Sequence, residues 1–174
     1  MSNVNLADSI IPEISAGGYT LGTDISLIEE LNDAILIDSF EQSVSKQLLM
    51  SEGWTYLEAR SEEENLCCQK TFYYKNDLIR LQFNSIGILY CIYLSNGYQG
   101  IAFDKIGIGS KLSDLKELFE VEYDSGDEMY YPSEKSEVKG ISFFINEKFL
   151  EDGNIDVKKS KVAVICVHNW SLYQ

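Results

Sequence analysis

One stretch that occurs twice constrains this chain more than any other feature. Tyr19-Thr20-Leu21-Gly22-Thr23-Asp24-Ile25-Ser26-Leu27-Ile28-Glu29-Glu30-Leu31 aligns on Ile106-Gly107-Ile108-Gly109-Ser110-Lys111-Leu112-Ser113-Asp114-Leu115-Lys116-Glu117-Leu118, at an offset of 109 − 22 = 87 residues. Each copy reads as a short strand, a glycine turn and a capped amphipathic helix. Thr23 or Asp24 in the first copy, and Ser110 in the second, stand where a side-chain oxygen accepts from the first free amides of a helix. Ile25, Ile28 and Leu31, and then Leu112, Leu115, Leu118 and Phe119, supply the buried stripe. A glycine before a helix also occurs in phosphate loops. Neither copy continues to Gly-x-Gly-x-x-Gly or to Gly-Lys-Ser/Thr, and Lys111 comes after Gly109 too early for a P-loop lysine. Both are read as hinges from strand to helix.

The two copies lead into segments similar in kind. After the first, β-type patterns cover 54–58, 67–74, 78–83 and 86–94, and Lys75-Asn76-Asp77 forms a turn. Residues 42–50 fit a helical face or a strand entry equally. The almost unbroken apolar run of 86–94 predicts the central strand of a sheet. Ser95-Asn96-Gly97-Tyr98-Gln99-Gly100 is the glycine-rich joint. After it, a strand over 101–108 leads into Gly109, residues 121–124 and 128–131 precede Pro132, and further strands are expected at 138–145 (with a kink or bulge at Gly140) and 162–168. The fold class is therefore α+β, with two related halves (1–97 and 98–174), each a strand-helix followed by an antiparallel sheet of several strands, closing into one compact unit. Two copies are fewer than a solenoid needs.

Charge bounds the partners. Lys and Arg number 14 against 28 Asp and Glu, a net charge of −14. Nucleic acid and anionic membranes require the opposite balance, so neither is an expected partner, and a basic protein surface is. The first residues carry neither a basic nor an apolar signal segment, and no apolar run has membrane-span length, so a cytoplasmic location is expected. The four cysteines (Cys67, Cys68, Cys91 and Cys166) contain no Cys-x-x-Cys pair and read as free thiols.

No catalytic set, cofactor motif or metal site is read from the residues. His168 is the single histidine, at the end of an apolar strand, so any Ser-His-Asp triad or Cys-His pair would depend on it. Its spacing from Cys166 puts both on one face of a regular strand, yet no acid follows locally, and a partly exposed strand-end histidine is the plainer reading. Asp124-Ser125-Gly126-Asp127-Glu128 lacks the ligand spacing of a calcium loop. It has another use. Acidic loops beside aromatics suit the docking of a basic protein, the rings as anchors and the carboxylates for steering. The partner-binding candidates are Glu62, Glu63, Glu64, Asp124, Asp127, Glu128, Tyr130 and Tyr131.

Residues 107–115, Glu122-Tyr123-Asp124, residues 127–132 and Lys139-Gly140-Ile141-Ser142-Phe143 together resemble small bacterial proteins encoded beside polymorphic toxins. These are the immunity proteins of contact-dependent growth inhibition. Residues 101–143 carry most of the likeness and 18–31 a weaker share. The glycine turn also resembles that of outer-membrane assembly lipoproteins and β-lactamase inhibitor-like repeats, which are exported and, in the former case, carry a lipobox cysteine. The resemblance implies an antitoxin with no enzyme activity that binds and neutralises one cognate toxin C-terminal domain. That domain would be a nuclease (RNase, tRNase or DNase) whose basic active-site cleft is blocked. The alternative is a non-enzymatic protein-binding module of the β-lactamase inhibitor-like kind with another partner. A hydrolase built on His168 is the third reading.

Overall fold

The computed structural model describes residues 3–37, 51–59 and 69–173. Residues 42–50, the charged loop 60–65, Cys67, Cys68 and the candidates Glu62, Glu63 and Glu64 lie outside the described residues. The strands, in chain order, are β1 (Ser15–Ala16), β2 (Tyr19–Thr20), β3 (Ile35–Leu36), β4 (Trp54–Ala59), β5 (Gln69–Tyr74), β6 (Ile79–Phe83), β7 (Leu89–Leu94), β8 (Val121–Asp124), β9 (Met129–Pro132), β10 (Ile141–Asn146) and β11 (Lys161–His168). The helix α1 (Leu112–Leu118) falls between β7 and β8. The class is α+β, dominated by one large mixed sheet.

Nine of these strands form that sheet in the order β3-β4-β5-β6-β7-β11-β10-β9-β8. The β3–β4 pair is parallel and every other neighbouring pair is antiparallel. β7 occupies the middle of the order, as its apolar run predicts. β4 to β7 make one meander and β8 to β11 another, and β7 pairs with β11 where they meet. The joint is not a loose linker. The Gln99 N–H donates to Leu6 at 2.7 Å, the Ile10 N–H donates to Ile101 at 2.9 Å, and the Tyr98 hydroxyl donates to Asp8 at 2.6 Å.

One face of the sheet holds the main core. Ile79, Leu81 and Phe83 of β6, Ile92 and Leu94 of β7, Ile141, Phe143 and Ile145 of β10, and Ile165 and Val167 of β11 point to it, because alternate strand residues share a face. Ile10, Ala16, Tyr19, Ile28, Leu31, Leu112 and Leu115 pack against them, so the N-terminal hairpin, the first repeat copy and α1 all lie over this face. Burying each such aliphatic or aromatic side chain contributes about 1.5–3 kcal/mol.

The two glycine hinges make the same contacts. The Gly22 N–H donates to Leu89 at 2.8 Å, the Leu89 N–H donates to Thr23 at 2.9 Å, and the Ile25 N–H donates to Gly87 at 2.8 Å. In the second copy Gly109 donates to Val162 at 2.8 Å, Val162 to Ser110 at 2.8 Å and Leu112 to Ser160 at 3.0 Å. Gly22 and Gly109 have φ of 86° and 88°, a left-handed conformation that glycine adopts without strain. The first hinge thus docks on β7 and the second on β11.

Three expectations are corrected. The first copy does not form an α-helix. It forms 3₁₀ turns at Ile25–Leu27 and Glu29–Leu31, separated by Ile28 at φ −102° and ψ 83°. Its apolar residues recur every three, the period of a 3₁₀ turn, and Asn32 stands where the second copy has Phe119. Without that fourth apolar contact there is little to extend a 3.6-residue stripe. Second, 101–108 is not a strand. It is a tight loop closed by an Ala102–Ile106 bridge, with Phe103 and Asp104 at φ of 54° and 55°. Third, Ser110 does not cap α1. Its hydroxyl accepts from Gly107 at 3.0 Å, while the Asp114 carboxylate accepts from the Lys111 N–H at 3.0 Å. In the first copy Asp24 is the cap, accepting from Ser26 at 2.8 Å.

Candidate functional site

The opposite face of the same strands carries different chemistry. β5 pairs with β6 so that Tyr73 faces Arg80, β6 with β7 so that Arg80 faces Tyr93, and β7 with β11 so that Tyr93 faces Cys166. A second row reads Thr71, Gln82, Cys91 and His168. The Arg80 guanidinium lies 5.2 Å from the Tyr73 ring and 4.9 Å from the Tyr93 ring, geometry in which a cation meets two π faces. It also forks onto the Asp77 carboxylate, with Nε to Oδ1 at 2.9 Å and Nη2 to Oδ2. Burial works against its charge, but Asp77 outweighs that and holds the guanidinium pKa above its ordinary value.

The chain end folds over this face. The turn Trp170–Leu172 is capped by Asn169, whose side chain accepts from Ser171 at 3.1 Å. It sets the Trp170 ring 5.9 Å and the Tyr173 ring 5.1 Å from Tyr90. Tyr90, Cys91, Met129 and Cys166 form a small buried cluster there, flanked by Tyr93, Tyr131 and Leu172. The Cys91 and Cys166 sulfurs are 3.1 Å apart as free thiols. Burial, and then Cys166, push the Cys91 thiol well above the usual range, so Cys91 is not an activated thiolate.

His168 sits at the edge of this cluster. Its exposure is 5%, so it is buried rather than the partly exposed strand-end residue that its position suggested. The imidazole stacks on Trp170 at 4.5 Å with an interplanar angle of 23°, and meets the Tyr131 ring edge at 5.9 Å. Among the described residues neither ring nitrogen has a hydrogen-bond partner, so His168 makes no dyad with Cys166 on the same face. Burial lowers its pKa to about 4, with the nearby Asp127 charge pulling the other way. The ring is neutral at ordinary pH. Among the described residues no group of His, Cys, Asp and Glu could hold a metal ion.

Two hollows share Tyr131 and Trp170. One, of about 580 Å³, is lined by His168, Asn169, Trp170, Glu13, Glu134 and Lys139 together with the Gly140 backbone. The other, of about 300 Å³, is lined by Arg80, Tyr93, Asp127, Met129, Phe144 and Val164. The wall of the larger hollow has an unusual construction. The Gly140 carbonyl accepts from both Glu13 at 3.1 Å and His168 at 3.0 Å. Gly140 has φ of 68°, and a Cβ there would fall 2.4 Å from the Glu13 Cβ. Glu13 is itself left-handed at φ 61°, a costly conformation for a residue with a side chain.

The sequence candidates divide between these surroundings. The hairpin joining β8 and β9 holds Asp124, Asp127 and Glu128 exposed, with Asp124 accepting from Gly126 at 2.7 Å and Asp127 at 3.3 Å. Tyr131 points to the open face, where its hydroxyl donates to Asp127 at 2.6 Å. Tyr130 points the other way. It is 7% exposed, paired with Phe143 in register, and donates to Glu147 at 2.5 Å. The missed residues are Arg80, Tyr93 and Glu13; the sequence reading considers His168 for catalysis alone. A period-two reading of 78–83 puts Arg80 and Gln82 opposite the apolar positions, and that is the available signal. The contribution of Glu13 has none.

No family model matches the chain, and no curated protein does. Among solved structures it is similar to the uncharacterized protein yfeY from Escherichia coli. The two share 15% identity with a TM-score of 0.45, over 86% of this chain and 96% of that one. Among the described residues no helix is long and apolar enough to cross a membrane.

Proposed function

We propose that this chain is an immunity protein that binds and neutralises a cognate toxin domain, a nuclease, by blocking its basic active-site cleft. The observation that carries the reading is the open sheet face: half-buried aromatic side chains around a buried cluster, in a chain of net charge −14. Interfaces that bind tightly have this anatomy, with Tyr, Trp and Arg at the centre and a polar rim. Tyr73, Tyr93, Tyr131, Trp170 and Arg80 supply the centre, and Asp127, Glu13 and Glu134 the rim. A nuclease cleft is built to hold phosphates, so acidity is the complement that steers association.

The architecture belongs to the same proposal. The matching hydrogen bonds of the two glycine hinges, and the two meanders meeting at β7 and β11, support two related halves within one compact unit. A second reading shares this face: a non-enzymatic protein-binding module of the β-lactamase inhibitor-like kind, with another partner. The recurrence of the hinge contacts favours it as much as the first, and the partner separates them.

Purifying the tagged chain with the protein encoded beside it tests the proposal. The expected result is a stable complex that suppresses the neighbour's nuclease activity and whose association slows as salt rises. A neighbour that is acidic, or that does not bind, removes the reading.

A further inference from the structure

The larger hollow of the open face holds a feature that its packing does not account for. A buried neutral imidazole carries one donor and one acceptor nitrogen, and among the described residues both nitrogens of His168 are unpartnered. Buried polar groups in folded proteins have partners, so His168 is a costly residue to keep in this wall. The stacking of Trp170 on His168 gives the hollow an aromatic side, while 45% of Trp170 stays exposed. Glu13 and Glu134 line the same space, with Lys139 the one cation there among the described residues. The left-handed backbone of Glu13 is tied to this wall, its N–H donating to the same Gly140 carbonyl that accepts from the His168 backbone N–H. Anions are disfavoured here. A lysine ammonium is a compact, strongly hydrated charge that makes poor use of an aromatic wall. A guanidinium is planar and weakly hydrated, stacks on rings and forks onto carboxylates.

We infer that this hollow is the socket for one arginine side chain from the partner's basic surface. The guanidinium stacks beside Trp170, against the wall that His168 forms, and pairs with Glu13 and Glu134. This rests on the reading of the open face as a docking surface for a basic protein.

The test uses the fact that His168 is the only histidine, so its ring signals in an NMR spectrum are unique. The full chain is titrated with N-acetyl-arginine amide, the corresponding lysine amide and the corresponding glutamate amide. The expected result is a saturable shift of the His168 signals by the arginine probe, at least tenfold weaker binding of the lysine probe, and no shift with glutamate. The Glu13→Gln, Glu134→Gln double variant should weaken the arginine probe at least tenfold, and its unperturbed His168 signals would report an intact fold. His168 signals that do not move with arginine, or that respond equally to lysine, overturn the socket. If the arginine probe binds while no basic partner exists, the socket stands and the toxin reading fails. If a basic partner binds wild type and double variant alike, the reading stands and the socket fails.

Discussion

The two faces of the central strands are made from interleaved residues of the same segments, yet they differ in kind. On β6, Ile79, Leu81 and Phe83 are buried against the hairpin, the first hinge and α1, while Arg80 and Gln82 between them look out. On β11, Ile165 and Val167 join the same core, and Cys166 and His168 face the other way. On β9 the division separates neighbours: Tyr130 goes to the core and Tyr131 to the open side. One face is closed by the chain's own elements and is apolar. Among the described residues the other is covered at its margin, by the turn Trp170–Leu172, and keeps polar and aromatic groups. Under the proposed function, that composition serves partner binding.

That contrast can be broken from either side. The largest expected effect on stability is on the closed face. Phe143→Ala removes a fully buried ring and should cost about 3–5 kcal/mol in denaturant unfolding, while leaving the open-face groups in place. Next is the pH response of His168. Its folded pKa of about 4 lies below the ordinary 6.5, so the unfolded chain binds the proton more readily. The His168 contribution is therefore complete above about pH 6.5 and falls as pH drops towards 4, by on the order of 3 kcal/mol. His168→Gln, compared with wild type across that window by urea unfolding, should lack this slope. Equal slopes would mean the imidazole is charged or solvated in the folded protein.

Gly140→Ala joins the two faces. With φ of 68° and a Cβ contact of 2.4 Å to Glu13, it should destabilise by at least about 1 kcal/mol and disturb the His168 NMR signals. The smallest effect is expected from Tyr131→Phe. It loses one hydrogen bond to the exposed Asp127, about 0.5–1 kcal/mol at most, and should leave the melting curve almost unchanged. A large loss there would mean the open face is structural after all.

The sequence carried the sheet better than the site. Alternation and turn chemistry located β4, β6 and β11 to within a residue or two, and the unbroken apolar run located β7 at the centre. Gly140 was legible as a kink, one residue before β10. The first repeat copy misled, because glycine turn and cap are shared by α and 3₁₀ starts, and the missing fourth apolar position decides between them. Tyr130 and Tyr131 looked alike as neighbours, and only the register with β10 assigns their faces. The row Tyr73, Arg80, Tyr93 and Cys166 comes from four strands, and pairing partners across such distances are not written in local pattern. Glu13 reaches the site through a contact spanning most of the chain.

The central claim is that the open face, and not the acidic surface at large, makes the partner contact. The direct measurement is the dissociation constant for the basic partner of wild type, Trp170→Ala and Leu27→Ala, at two salt concentrations. Leu27 is 71% exposed on the first 3₁₀ turn, away from the open face, and serves as the control. Trp170→Ala should weaken binding at least tenfold, about 1.4 kcal/mol or more, Leu27→Ala should match wild type, and salt should weaken all three. Equal affinities for Trp170→Ala and wild type, or a larger loss at Leu27, would contradict that claim.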